Sequence, residues 1–134
     1  MIEKGDECWV CGAANSSGLG VRFEPDGING SRAYYTARAE HRGWPGILHG
    51  AIALTLMDEA FGWSLYFHGF AGVTARFDAR LRKQIPIGSN LVIRAWTTER
   101  RKKIALARAE IRQDSETGPL LAEADATMFL IESL

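Results

Sequence analysis

The chain has 134 residues, 46% of them hydrophobic, and its 16 lysines and arginines balance 16 acids for a formal net charge of zero. That length supports one core burying roughly two thirds of the unfolded chain's surface, so stability requires neither a disulfide nor a metal. A neutral total argues against wholesale nucleic-acid binding, and no apolar run approaches the ~20 residues of a membrane span. The charged start MIEKGDECWV is unlike a secretion signal, which makes the cytoplasm the expected location.

Residues 1–18, ending in Ala13-Ala14-Asn15-Ser16-Ser17-Gly18, are rich in turn formers and read as a lead-in segment to one domain over 19–134. Within the lead-in, Cys8 and Cys11 form a lone CxxC. A structural zinc site usually takes two such pairs, and a redox CxxC follows a strand in a βαβ unit. The pair therefore reads as two reduced thiols, with zinc shared with a histidine or a second chain as the alternative, and no metal is expected.

Strands are predicted over 19–25 and 31–39, with Asp26-Gly27 and Asn29-Gly30 as turn chemistry between them. In the second, Ala33, Tyr35, Ala37 and Ala39 share one face. The segment EHRGWPGILHG over 40–50 is barred from helix by Pro45 and its preceding Trp44. From Ala51 to Phe67 the chain is apolar on almost every side, the mark of a buried helix. Strands follow over 73–82, 90–99, 103–113 and 120–132, and their short connections predict antiparallel hairpins. In the first of these, Val73, Ala75, Phe77, Ala79 and Leu81 alternate with Thr74, Arg76, Asp78, Arg80 and Arg82. The order predicts an α+β fold in which a single antiparallel sheet wraps one long central helix. One sheet cannot cover a helix that is apolar all round, so a homodimer is expected.

Two carboxylates, Asp58 and Glu59, lie inside that helix. Carboxylates in apolar surroundings are paired or functional, because burial disfavours the charged form. They differ by about 100° around the axis, so they face different environments. An ion pair with Arg76 or Arg80 is the structural alternative to a catalytic role. At the helix start, Leu48-His49-Gly50 places a glycine where unpaired N–H groups are available to a carbonyl oxygen. Gly50 and Asp58 are eight residues apart, or about 12 Å along the axis, so if both act on one carbonyl they come from different chains.

These residues resemble the acyl-CoA thioesterases of the hotdog superfamily, of the phenylacetate-pathway and 4-hydroxybenzoyl-CoA thioesterase-like types. The resemblance rests on Cys8-Trp9-Val10-Cys11-Gly12, Asn15 and Gly18-Leu19, on the run from His41 to Gly50, and on Leu56-Met57-Asp58-Glu59-Ala60. Val73-Thr74-Ala75-Arg76-Phe77, Leu91-Val92-Ile93 and Ala122-Glu123-Ala124 continue it. It implies a hotdog fold, a homodimer that often pairs into a tetramer, and hydrolysis of an acyl thioester to acid and coenzyme A, with no cofactor beyond the substrate's own coenzyme A. It also implies that Gly50 polarises the thioester carbonyl, His49 shapes that end of the site, and Asp58 of the opposite chain activates water or attacks directly. Thr74 matches a hydroxyl that positions the water or the carboxylate. The sequence departs from the family at Ala51, where a second glycine is usual, and at Gly43, where some members have Asn or Gln.

Residues 71–103 hold nine basic and two acidic side chains, a balance of +7, and the rest of the chain carries −7. Arg100, Arg101, Lys102 and Lys103, in a predicted hairpin, are candidates for the nucleotide phosphates, with a solvated turn as the alternative. Trp44 is a candidate acyl-pocket residue. Two rival functions remain: a hotdog 3-hydroxyacyl thioester dehydratase or hydratase using His41 with Glu59, and a non-catalytic acyl-CoA-binding protein.

Overall fold

The computed structural model describes residues 5–133. In chain order it contains β1 (Phe23–Asp26), β2 (Gly30–Thr36), a 3-10 turn (Ala39–His41), α1 (Gly50–Tyr66), β3 (Phe70–Leu81), β4 (Asn90–Arg101), β5 (Ile104–Gln113) and β6 (Leu120–Ser133). The strands form one sheet in the order β1-β2-β4-β5-β6-β3, antiparallel throughout. This is the expected α+β hotdog arrangement. Among the described residues, no helix is long and apolar enough to cross a membrane.

Alternation explains the inner wall of the sheet. Ala33 and Tyr35 of β2, Ile93 and Ala95 of β4, and alternate residues of β5 and β6 are buried, as a period of two requires. Most of these side chains are alanines, so the bulk of the core comes from α1, whose Leu56, Met57 and Phe61 are fully buried. The helix is capped at its start by His49, and Gly69 takes a positive φ of 96° where the chain turns into β3.

Three expectations are corrected. Residues 19–22 are not part of β1: the Leu19 N–H donates to the Trp9 carbonyl and that of Val21 to the Val10 carbonyl, so they pair with the lead-in segment. β2 stops at Thr36, and Ala39 is exposed in the 3-10 turn. Most consequentially, β3 and β4 are not a hairpin. β3 pairs with β6 at the sheet's edge, and residues 82–89 carry the chain across the open end of the fold to β4, beside β2. That crossover is fastened by hydrogen bonds from Leu48 N–H to the Ile85 carbonyl and from Gly88 N–H to the Ala37 carbonyl.

β3 also breaks its own alternation. The ladder with β6 pairs Thr74 with Met128 and then Arg76 with Thr127, leaving Ala75 as the extra residue of a bulge. Ahead of the bulge, Val73 is half exposed and Thr74 faces the core side beside buried Met128. Beyond it, Phe77 and Ala79 face inward opposite Ala126 and Ala124. Unbroken alternation would set Val73 and Ala75 on the same face as Phe77; the bulge instead reverses the phase between Thr74 and Phe77.

Phe61 is fully buried and meets Phe77 edge-on, with ring centroids 5.5 Å apart. Phe61→Ala is expected to cost about 3–5 kcal/mol, lowering the urea midpoint with an unchanged m value.

Candidate functional site

The loop before α1 is a set of short hydrogen-bonded turns. Gly43 N–H donates to the Ile47 carbonyl, Ile47 N–H to that of Trp44, and His49 N–H to that of His41. Gly46 takes a φ of 79°, a conformation that glycine adopts without a Cβ penalty. Beside this loop lies a cleft of about 550 Å³ lined by Arg42, Gly43, Trp44, Leu48, His49 and Gly50. A neighbouring cleft of about 310 Å³ shares Trp44 and Gly50 and adds Arg82 and Lys83. Trp44 is 81% exposed at their mouth.

His49 is the helix N-cap, and its Nδ1 accepts the Ala51 N–H at 3.0 Å. A ring that accepts there carries its neutral-form proton on Nε2, which leaves a donor facing outward. The Gly50 N–H has no acceptor among the described residues, as expected for the first turn of a helix. A Cβ on Gly50 would stand 3.0 Å from Leu81 Cδ1. Gly43 packs on His49, where a Cβ would lie 3.2 Å from Cδ2 of the ring. A side chain there would press on the histidine and require a shift of a few tenths of an ångström.

Asp58 is exposed, so the burial expected of it is not supplied by this chain. The sheet covers α1 on one side only and leaves an open stripe through Ala51, Leu54 and Asp58. No ion pair joins Asp58 to Arg76 or Arg80 among the described residues. Instead Thr74 Oγ1 donates to Asp58 Oδ1 at 2.6 Å, a contact made possible by the bulge that turns Thr74 inward. Glu59, about 100° around the axis, faces the lead-in segment. Its Oε1 accepts from Cys8 Sγ at 3.7 Å and Cys11 Sγ at 3.2 Å. Burial first, then the Cys8 hydrogen bond and the Glu59 charge, push the Cys11 thiol up to about 12.

The structure groups these residues into three places. His49, Gly50 and Trp44 line the clefts. Asp58 and Thr74 form a pair about 12 Å further along α1, as eight residues of helix dictate. Arg100–Lys103 lie at the opposite end of β3 from Gly50: Lys102 and Lys103 form the β4–β5 turn, and the Arg100 guanidinium sits 4.3 Å above the Phe70 ring. Phe70 starts β3 and Leu81, beside Gly50, ends it. His41 and Glu59 are not brought together. The His41 ring contacts Tyr35 through Nδ1 and Arg38 through Nε2, while Glu59 holds the cysteines. Arg42, Arg82 and Lys83 were not singled out from the sequence. Reading β3 and β4 as a hairpin concealed that the crossover returns to the helix start.

A family model described as thioesterase superfamily matches residues 45–119. Three solved structures resemble the chain. Protein smu.793 of Streptococcus mutans, bound to acetyl CoA, superposes with a TM-score of 0.77 at 18% identity over 84% of this chain and 90% of that one. The PaaI protein of E. coli, from the phenylacetic acid degradation operon, has a TM-score of 0.78 at 18% identity over 86% of this chain and 82% of its own. A hypothetical thioesterase of Streptococcus pneumoniae with coenzyme A has a TM-score of 0.77 at 18% identity, covering 84% of this chain and 90% of that one. The pneumococcal protein has also been solved with an aspartate and, sixteen residues later, a threonine each replaced by alanine. No curated protein matches at the level of sequence.

Burial first, then the Arg38 charge, hold His41 below its ordinary 6.5. The unfolded chain therefore binds this proton more readily, and the neutral ring's contribution is present above about pH 6.5 and lost as pH falls through the lowered value. Urea midpoints measured between about pH 7.5 and 5.5 should fall for wild type and flatten for His41→Asn.

Proposed function

Because the chain belongs to the thioesterase superfamily, we propose that it hydrolyses an acyl-CoA thioester to a carboxylic acid and coenzyme A at a site shared by two subunits. The observation that carries this reading is the Thr74–Asp58 hydrogen bond on the open face of α1, set about 12 Å along the helix from the unpaired Gly50 N–H. Two such helices, antiparallel across a twofold axis, place Gly50 of one subunit near Asp58 of the partner subunit. Two features favour that pairing: the uncovered stripe through Leu54 and Asp58, and the twelve-residue edge strand β3, whose free backbone groups invite a further strand. A row of outward apolar side chains, Ile104, Phe129 and Val73, in register across three strands, offers a separate face for pairing of dimers.

In the reaction, the Gly50 N–H hydrogen-bonds the thioester carbonyl oxygen and stabilises the negative charge that grows there. Asp58 of the partner subunit, oriented by its Thr74, takes a proton from water. The water oxygen bonds to the carbonyl carbon, the C–S bond breaks, and the leaving sulfur takes the proton held on Asp58 to become the free thiol. Direct attack by the carboxylate, followed by hydrolysis of the anhydride, gives the same products. Neither route needs a cofactor beyond the substrate's own coenzyme A. The neighbours that hold acetyl CoA and coenzyme A support this substrate class. The replaced residues of the pneumococcal protein are separated by the same interval as Asp58 and Thr74. Arg42 and Lys83 place positive charge at the clefts beside Gly50. Arg100–Lys103 of the partner subunit would approach from its opposite end to meet the nucleotide phosphates.

Thiol release from a panel of acyl-CoAs tests the reading. Asp58→Asn should lower kcat by about 10²–10⁴; unchanged release would remove Asp58 from catalysis. Mixing equal amounts of Asp58→Asn and Gly50→Val chains should restore about a quarter of wild-type activity, since half the dimers regain one of two sites. Mixed dimers without recovery would rule out the shared site. Tight acyl-CoA binding without thiol release by the wild type would favour the non-catalytic binding protein.

A further inference from the structure

The lead-in CxxC has no part in the proposed hydrolysis, yet it is built with unusual tightness. Cys8 Sγ, Cys11 Sγ and a Glu59 carboxylate oxygen all lie within 4.8 Å of one another. The two sulfurs stand 3.7 and 3.2 Å from the same oxygen. A tetrahedral zinc bonded to sulfur at about 2.3 Å and oxygen at about 2.0 Å separates its sulfurs by about 3.8 Å, and each sulfur from the oxygen by about 3.5 Å. The three donors are thus gathered near the spacing that one ion requires. The turn between the cysteines also presents one backbone N–H to this cluster. Cys11 N–H points at Cys8 Sγ at 3.4 Å, a contact that favours negative charge on sulfur. Gly12 N–H closes the turn onto the Cys8 carbonyl at 2.9 Å. A Cβ at Gly12 would fall 2.2 Å from the Asp6 carbonyl oxygen and 2.4 Å from the Cys8 nitrogen. Only glycine closes that turn.

We propose that Cys8, Cys11 and Glu59 form a zinc site that fastens the lead-in segment to the middle of α1, with water as the fourth ligand. On binding, both thiols release their protons to solvent and ligate as thiolates, while Glu59 binds as carboxylate. Thiolate donors favour zinc over magnesium or calcium, which prefer all-oxygen sites. The second cysteine pair missing from the sequence is replaced in part by a helix carboxylate 48 residues beyond Cys11. Glu59 adjoins Asp58 about 100° around the axis, so the ion would anchor α1 on the flank beside its open stripe. The site stands independently of the thioester reaction, and its test reads metal and thiols instead of turnover.

The full chain, produced in zinc-supplemented medium and dialysed against metal-free buffer, is assayed for zinc by mass spectrometry and for thiols in denaturant with chelator. The expected result is one zinc and two free thiols per chain, with zinc lost in both Cys8→Ser and Cys11→Ser. Cobalt added to the stripped wild type should produce thiolate-to-metal charge transfer in the near ultraviolet and the visible bands of four-coordinate cobalt. Glu59→Gln should keep the charge transfer but release metal to a competing chelator at least about tenfold more readily, the scale of lost metal-site partners. Circular dichroism of each protein separates loss of metal from loss of fold. A folded wild type with neither zinc nor a cobalt spectrum overturns the site, as does recovery of Cys8 and Cys11 as a disulfide. Metal held equally tightly by Glu59→Gln overturns the three-donor set.

Discussion

A helix that is apolar nearly all round, served by one sheet, is the constraint from which the rest of this molecule follows. The inner wall can approach α1 closely because it is paved with alanines: Ala105, Ala107 and Ala109 on β5 and Ala122, Ala124 and Ala126 on β6 are all buried. Close approach on that side buries Leu56, Met57 and Phe61 completely, each worth about 1.5–3 kcal/mol of transfer free energy. The opposite side of the helix is left uncovered by the sheet among the described residues, so Leu54 and Asp58 face outward. A carboxylate flanked by apolar residues on an uncovered helix face is a poor surface and a good interface.

The helix, the strand count and most inner-face alternation were legible in the sequence because each is a local periodic signal. Pairing was less so. Short connections suit hairpins, yet the eight residues after β3 suffice to cross the open end of the fold, and no local pattern separates the two outcomes. The Ala75 bulge was hidden for a related reason: in one strand it looks like unbroken alternation, and only the register against β6 reveals the extra residue. The His49–Gly50 helix start was readable from composition, and the structure adds that the histidine itself caps the helix. The sequence could place Asp58 and Glu59 on different faces but not say what either face meets. The Glu59 contact with Cys8 and Cys11 joins segments 48 and 51 residues apart, beyond any local signal.

Charge behaves similarly. The excess of cations over 71–103 counts neighbours in sequence, whereas the sheet supplies neighbours in space. Arg82 pairs with Glu123, Arg94 with Asp26 and Glu110, and Arg101 with Glu99. These exposed or half-exposed pairs contribute little stability individually, but they reduce the field that the block would otherwise present. Lys83 in the cleft and the Lys102–Lys103 turn form no such pairs among the described residues and retain positive charge for an anionic ligand.

The edge position of β3 also orders events in time. β3 bonds to β6 alone, and β6 begins 39 residues after β3 ends. During synthesis α1 and β3 therefore leave the ribosome well before the strand that completes their wall. Until β6 arrives, β3 has no ladder to hold its bulge, and Thr74 has no Met128 beside it. Long-range pairing of this kind is slow to form and leaves apolar surface exposed meanwhile. The Thr74–Asp58 contact is thus among the last parts of the subunit to take shape, and a nascent chain carries its helix for some time before it carries a site.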